Sequence, residues 1–207
     1  MKHLLIIIAG LAFMLPAHSQ GSESYTDKKN EVNIGFFNAF ELNNLSDLGI
    51  GYKRMTKNGA WRFGTGIGFS TSNSDNDNGT TQTSHYYNIT PRIGYEWHQN
   101  FNRLQLQYGT DLVTDFYKST SEDTNESIDY YRFQQSILNK YGIRPFLGLK
   151  VFITRSISIS TETYLDLGYT TETFEENNNS PTSTIRNEKG ASVVLGPLGV
   201  FSINFHF

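Results

Sequence analysis

The sequence predicts an all-β fold, an eight-stranded antiparallel up-and-down β-barrel, on three observations. Apolar residues recur at every second position through eight separate stretches, and a period of two belongs to a strand and not to a helix. The connections between those stretches alternate between short and long. The apolar face gathers its aromatic rings toward the strand ends.

The chain opens on MKHLLIIIAGLAFMLPAHSQ. A basic start at Lys2, an apolar run from Leu4 to Leu15, the helix breaker Pro16 and the small residues Ala17 and Ser19 make residues 1–19 a secretory signal peptide. The apolar run is too short for a membrane-spanning helix, which needs about 20 residues. Residues 20–207 then form one domain. With no cysteine in the chain, that domain has neither a disulfide framework nor a lipid-modified cysteine to rely on.

The strands follow in order. Val32, Ile34, Phe36 and Phe40 alternate with Asn33, Gly35, Phe37 and Ala39, and Leu48, Ile50 and Tyr52 alternate with Gly49, Gly51 and Lys53. The third stretch, WRFGTGIGFS, sets Trp61, Phe63, Ile67 and Phe69 against Arg62, Gly64, Gly66 and Gly68. Its glycines are not a phosphate-binding loop, because the G-x-G-x-x-G spacing is missing and the polar SNSDNDNG follows where a helix should. The fourth strand runs from Tyr87 to Trp97, the fifth from Leu104 to Phe116, the sixth from Ile143 to Ile153, the seventh from Ile157 to Tyr169 and the eighth from Val193 to Phe207. Short links near Asn43–Asp47, Lys57–Gly59, Gln99–Asn102 and Thr154–Ser156 separate them, with long loops at Thr71–Ser84, Lys118–Lys140 and Thr170–Gly190. In an up-and-down barrel this puts the three later tight turns at one end and the long loops at the other, the asymmetry of barrels that cross an outer membrane.

Eight amphipathic strands also suit a soluble barrel with its apolar face inside. Two features favour the inverted, transmembrane arrangement. The polar face is mostly Gly, Asn, Gln, Ser and Thr with isolated charges, where a water-facing sheet displays many Lys and Glu. The apolar face has Trp61, Tyr95, Trp97, Phe205 and Phe207 toward the tight turns and Phe40, Phe69, Phe116 and Tyr169 toward the long loops. Rings at both rims of an apolar band suit two membrane interfaces. A net charge of −3 with 18% charged residues and no basic block gives no electrostatic support for nucleic-acid binding.

In these features the chain resembles the small outer-membrane β-barrels of Gram-negative bacteria, the group that includes OmpA-type membrane domains and OmpX-like proteins. The segments PRIGYEWHQNFNRLQLQYGTDL and RPFLGLKVFITRSISISTETYLDLGY are similar to the Bacteroidetes-type outer membrane β-barrel domain family. The resemblance implies a cell outer membrane location, contact with outer membrane lipids and lipopolysaccharide, and insertion by the barrel assembly machinery. It also implies that Phe205 and Phe207 serve as the terminal assembly signal, while Ser202 stands where that family often has a glycine.

If the apolar face meets lipid, the charges on the other face need partners inside the barrel. By parity these are Lys53, Arg62, Arg92, Arg144 and Lys150 against Glu96, Asp111, Asp115, Glu162 and Asp166. We expect an internal salt-bridge and hydrogen-bond network, concentrated on the fourth to seventh strands. An eight-stranded interior is just wide enough for side chains to fill, and Phe37, Phe146 and Tyr164 would help to fill it. The charges suit either a polar plug or a narrow ion path, and the strand number favours the plug.

No catalytic, cofactor-binding or metal-binding residue is nominated. His85 in SHYYN lies at the loop end, where outer-membrane acyl-transfer enzymes keep catalytic groups, but Ser84 beside it on a strand points to the opposite face. Counted from Asp75, SDNDNG puts glycine fifth and Tyr86 twelfth, whereas a calcium loop wants glycine sixth and glutamate twelfth. Acidic Glu122, Asp123, Glu126, Asp129, Glu172, Glu175 and Glu176 make the loops negative. Tyr130, Tyr131 and Phe133 suit a contact site for a surface ligand or an extension of the barrel wall. The expected role is structural or surface-interacting, with a narrow channel or small-solute transporter as the alternative and a lipid-modifying enzyme less favoured.

Overall fold

The computed structural model describes residues 28–37, 47–75, 80–125, 130–179 and 183–207. The signal segment, Phe40, the first link, Asp77, Glu126, Asp129 and the side chain of Phe37 lie outside what it describes. Eight strands, β1 (Asn30–Phe37), β2 (Asp47–Met55), β3 (Gly59–Asp75), β4 (Thr81–Phe101), β5 (Leu104–Asn125), β6 (Tyr130–Phe152), β7 (Ile157–Asn178) and β8 (Thr184–His206), follow one another around a closed antiparallel barrel. Closure is made where β1 meets β8: Val32 pairs with Phe205 and Ile34 with Ile203. At that seam Asn30 and Phe207 exchange backbone N–H···O bonds of 3.0 Å in both directions. A closed ladder leaves no edge strand with unpaired backbone groups.

Local chemistry shapes the tight turns. Asn102 takes a positive φ of 54° between β4 and β5, a left-handed conformation that asparagine tolerates better than most residues. In the β6–β7 turn the Thr154 hydroxyl accepts backbone N–H bonds from Ser156 at 3.2 Å and Ile157 at 3.0 Å. Across β2–β3 the Thr56 N–H donates to the Gly59 carbonyl at 2.8 Å.

Alternation holds along the described strands. Large apolar side chains stand outside the sheet and exposed, among them Ile50, Phe63, Ile89, Leu112, Ile143 and Leu195. The residues most deeply buried are polar, led by Lys150, Gln107, Glu31 and Glu96. The barrel is thus inverted relative to a water-soluble one, with its apolar surface outward and its charged groups inward.

The three long connections expected as loops are a correction. Most of Thr71–Ser84, Lys118–Lys140 and Thr170–Gly190 is strand, paired in continuous register: Ser72 with Ser84, Thr120 with Gln135, Thr173 with Asn187. Apolar alternation marks where the outer face is apolar and says nothing about where pairing stops. Beyond that band Ser, Thr and Tyr continue the ladder with a polar outer face, helped by the strand preference of Thr and Tyr. Tyr130 and Tyr131 accordingly sit on β6, paired with Asn125 and Thr124.

Interior space is tightest where glycine faces inward. A Cβ on Gly64 would come 2.9 Å from Arg92 Nε and 3.1 Å from the Ile50 carbonyl oxygen, and one on Gly94 would collide with the Asp111 side chain and the Thr110 carbonyl. Gly94→Val should therefore cost about 1–3 kcal/mol or more, whereas Ile93→Leu on the outer face should cost less than about 1.5 kcal/mol. Denaturant unfolding of the two variants refolded in detergent would show the difference, and equal midpoints would refute the inward assignment of Gly94.

Candidate functional site: the lumenal charge network

Residues on paired register positions share a face of the sheet, so one inward side chain fixes its neighbours around the ring. Lys53 is opposite Arg62, Gly94 opposite Asp111, Asp111 opposite Arg144, and Gly148 opposite Glu162. All ten charged residues nominated from parity lie on this inward face, and the structure brings them together in three layers.

The layer nearest the tight turns centres on two carboxylates. Lys53 Nζ is 2.9 Å from Glu96 Oε2 and 3.4 Å from Glu31 Oε1. Lys150 Nζ donates to Glu31 Oε2. His98 Nε2 lies 2.7 Å from Glu96 Oε1, and Gln107 donates to the same oxygen at 3.4 Å. His206 stands between Glu31, 3.5 Å from Nδ1, and the Ser158 hydroxyl, 2.8 Å from Nε2. A cavity of about 310 Å³ opens at this end, lined in part by His98, Gln105 and His206.

Arg62 makes the middle layer. Its guanidinium reaches Glu96 Oε2 at 3.0 Å, Glu162 Oε2 at 3.0 Å and Asp111 Oδ1 at 3.4 Å. The same group lies 3.9 Å from the centre of the Phe146 ring, so one side chain from β3 ties β4, β5, β6 and β7 together. Arg92 projects from β4 beside Gly64. In the third layer Arg144 is 2.6 Å from Asp166 Oδ2 and 4.5 Å from the Tyr164 ring centre. Lys140 pairs with the same Asp166 oxygen at 2.8 Å and with Asp115 at 3.7 Å.

Two carboxylate or ammonium members, Glu31 and Lys140, lie beyond the apolar pattern that marks the strands. Glu31 precedes Val32, the first residue of the apolar pattern, yet shares parity with Asn33 and is fully buried. Lys140 falls in the stretch that the apolar pattern predicts as loop, although it shares parity with Arg144 and Lys150 on β6. The network is also not confined to β4–β7, since β1, β2 and β3 supply Glu31, Lys53 and Arg62. With both added, the three layers hold six basic residues (Lys53, Arg62, Arg92, Lys140, Arg144, Lys150) and six acidic ones (Glu31, Glu96, Asp111, Asp115, Glu162, Asp166). Each ion moved out of water costs several kcal/mol unless it is paired, and equal numbers on a shared face provide that pairing.

On the outer face Trp61 and Tyr95 meet edge-on at 5.3 Å, Tyr95 and Trp97 at 5.2 Å, and Trp97 stacks on Tyr108 at 6.0 Å. The Tyr95 hydroxyl bonds Thr56 Oγ1 at 2.8 Å. Phe205 and Phe207 are exposed at this same end. Phe69, Phe116 and Tyr169 stand exposed toward the other end, joined by Tyr87 and Tyr141, which pair with Phe69 and Tyr169. From Trp97 to Tyr87 the ten steps of β4 span about 33 Å along the strand. At a tilt of about 40° that is a height of about 25 Å, the apolar band of a barrel in an outer membrane.

Above the band the wall is held by polar pairs. Arg132 binds Glu176 at 2.8 Å, and this hydrogen-bonded guanidinium holds the Glu176 carboxyl below the usual carboxylate range. Ser136 donates to Glu172 at 2.7 Å, and Tyr86 meets Tyr117 edge-on at 5.0 Å. Ser84 bonds Ser121 in the lumen at 3.2 Å, while His85 Nδ1 pairs with Thr71 Oγ1 at 3.1 Å on the other face. Asp75 accepts a bond from Thr81 at 3.0 Å. Among the described residues no three His, Asp or Glu side chains form a metal-binding group.

No family model matches the chain, and no curated protein matches it. Three solved structures are similar in shape at low identity. CarO2 of Acinetobacter baumannii is 11% identical with a TM-score of 0.45, covering 87% of this chain and 98% of its own. A major outer membrane protein from Thermus thermophilus is 11% identical, also with a TM-score of 0.45, covering 87% and 100%. CarO of Acinetobacter baumannii is 12% identical with a TM-score of 0.39, covering 89% and 100%.

Arg62→Ala should cost about 3–5 kcal/mol, because it leaves three buried carboxylates short of a partner. Arg132→Ala, on the solvated wall, should leave the unfolding midpoint unchanged within error. Denaturant titration of the refolded barrels measures both, and an Arg62 variant as stable as the parent would remove the network from any account of stability.

Proposed function

We propose that the chain is an outer-membrane β-barrel of the Gram-negative envelope, exported through a signal peptide at residues 1–19. Within that class we place it with the OmpA- and OmpX-like eight-stranded barrels of the Bacteroidetes type, in a structural or surface-interaction role. The supporting observation is the pairing of opposites across one wall. An exposed apolar band bounded by aromatic rings encloses a layer in which Glu31, Lys53, Arg62, Glu96, Asp111, Phe146, Lys150 and Glu162 are each no more than 7% exposed. Such an outer face suits hydrocarbon, and such an inner layer obstructs a diffusion pore.

In this proposal the wall above the band carries contacts with lipopolysaccharide or a surface ligand, through exposed groups such as Tyr131 and Glu122. Phe205 and Phe207, on the closing strand, address the assembly machinery. No reaction is assigned to the chain. The continuous column of ionisable groups from His98 to Asp115 favours a narrow ion path as the second reading.

Two measurements test the proposal. On a gel of fractionated outer membrane, the unheated protein should migrate differently from the boiled chain, and a soluble periplasmic species without that shift would exclude the membrane placement. In planar bilayers the folded protein should give no discrete conductance steps, whereas stable cation or proton currents would replace the structural role with the channel.

A further inference from the structure

The two ends of the barrel differ in charge. At the tight-turn end the exposed charged side chains among the described residues are Lys28 and Lys29 ahead of β1, Arg54 near the end of β2, and one cation on each tight turn. Those three are Lys57 between β2 and β3, Arg103 between β4 and β5, and Arg155 between β6 and β7. Among the described residues the acidic side chains nearest that end, Glu31 and Glu96, are fully buried in the lumenal pairs. At the opposite end, among the described side chains, acids outnumber bases on the extended strands: Asp75, Glu122, Asp123, Glu172, Glu175, Glu176 and Glu188 against Lys118, Arg132, Arg186 and Lys189.

Geometry turns these cations into a rim. Tight turns fall at alternate strand junctions, so Lys57, Arg103 and Arg155 are spread around the perimeter, and Lys28 and Lys29 occupy the sector where β1 meets β8. The rim lies next to the aromatic ring: Arg54 is in register with Trp61. Its guanidinium donates to Asn30 Oδ1 at 2.6 Å, an oxygen that also accepts the Tyr52 hydroxyl at 2.9 Å. That shared acceptor holds Arg54 on the outer face, level with rings that mark the edge of the apolar band.

We propose that this rim is a binding surface for anionic phospholipid headgroups, which enriches net-negative glycerophospholipids over zwitterionic ones around the tight-turn end. The proposal rests on the membrane placement proposed above. A basic side chain close to an anionic bilayer surface attracts it, and phosphate oxygens are the acceptors that guanidinium and ammonium groups take up. At the far end Lys118, Arg186 and Lys189 stand among a larger number of acidic side chains, a weaker match, so the preference belongs to the tight-turn leaflet.

The chain's own tryptophans report on it. There are two, Trp61 and Trp97, and both lie in the aromatic ring beside the rim. The mature barrel is refolded into phosphatidylcholine vesicles containing either dibrominated phosphatidylcholine or dibrominated phosphatidylglycerol, and quenching yields the relative binding constant of the two lipids. At low salt the anionic lipid should be favoured about fivefold, the ratio given by one close cation–headgroup contact. The preference should fall toward unity in ~1 M salt and in the variant R54Q/K57Q/R103Q/R155Q. If that variant does not fold, K28Q/K29Q/K57Q should reduce the preference in the same direction. Equal constants in the parent, or a preference that survives both variants, would overturn the proposal and leave the rim to a soluble acidic partner. Quenching by brominated phosphatidylcholine checks the membrane placement separately, because its absence with both lipids would remove that placement and the rim's role together.

Discussion

Eight strands close a ring whose interior is only as wide as the side chains inside it, and this circumference governs the rest of the molecule. Many large inward groups have a small one opposite. The register supplies that in pair after pair: Gly51 faces Asn33, Gly64 faces Arg92, Gly94 faces Asp111, Gly109 faces Phe146, Gly148 faces Glu162 and Gly196 faces Tyr164. A Cβ on Gly196 would run into the Tyr164 ring, so that aromatic lies flat over its partner's bare backbone. The glycines that look like a nucleotide loop in WRFGTGIGFS belong to this same scheme.

Charge follows from the same limit. With the outer face apolar, the interior must take the polar residues, and a narrow interior has no bulk water to solvate them. Most of these ions are therefore answered by an opposite charge within reach, and Arg62 answers three carboxylates from two layers. Under the export proposed above, alternation gives a second benefit. Interleaving an apolar outer residue with a polar inner one keeps any apolar run in the mature chain far short of the ~18 residues that would stop as a membrane helix. Among the described residues no helix is long and apolar enough to cross a membrane, which leaves strand crossing untouched.

Parity alone made the inward face legible, because a side-chain period of two leaves only two choices for each strand. Lys53, Arg62, Glu96, Asp111, Arg144, Lys150, Glu162 and Asp166 could all be placed that way. Partners were not legible, since they depend on register between strands: Arg62 meets Glu162, one hundred residues away. Glu31 and Lys140 were missed for one shared reason. Strand ends were set by the last apolar residue, and both lie just beyond it on strands that continue. The same criterion turned the polar wall into loops and left Tyr141 outside the sixth strand, whereas Tyr87 and Tyr108 lie on their strands and complete the aromatic rings only once the register is known.

That polar wall raises the question of what keeps it paired. β5 and β6 continue from Phe116 and Asn139 to Asn125 and Tyr130, and water reaches much of both faces, so little apolar burial sustains them. An isolated pair of such strands would be marginal. Here the pair grows out of a ladder already fixed by the plug and the band, so no loop-closure entropy is added as each further pair forms, and the wall is tied on through β7 and β8 by contacts such as Arg132–Glu176 and Thr173–Asn187. Stability must then fall from the ion-paired centre toward the solvated rim, because local opening follows local burial. The barrel thus combines a rigid anchor at one height with an adaptable, acid-rich surface at another, and that surface can change its residues without disturbing the pairs that hold the ring closed.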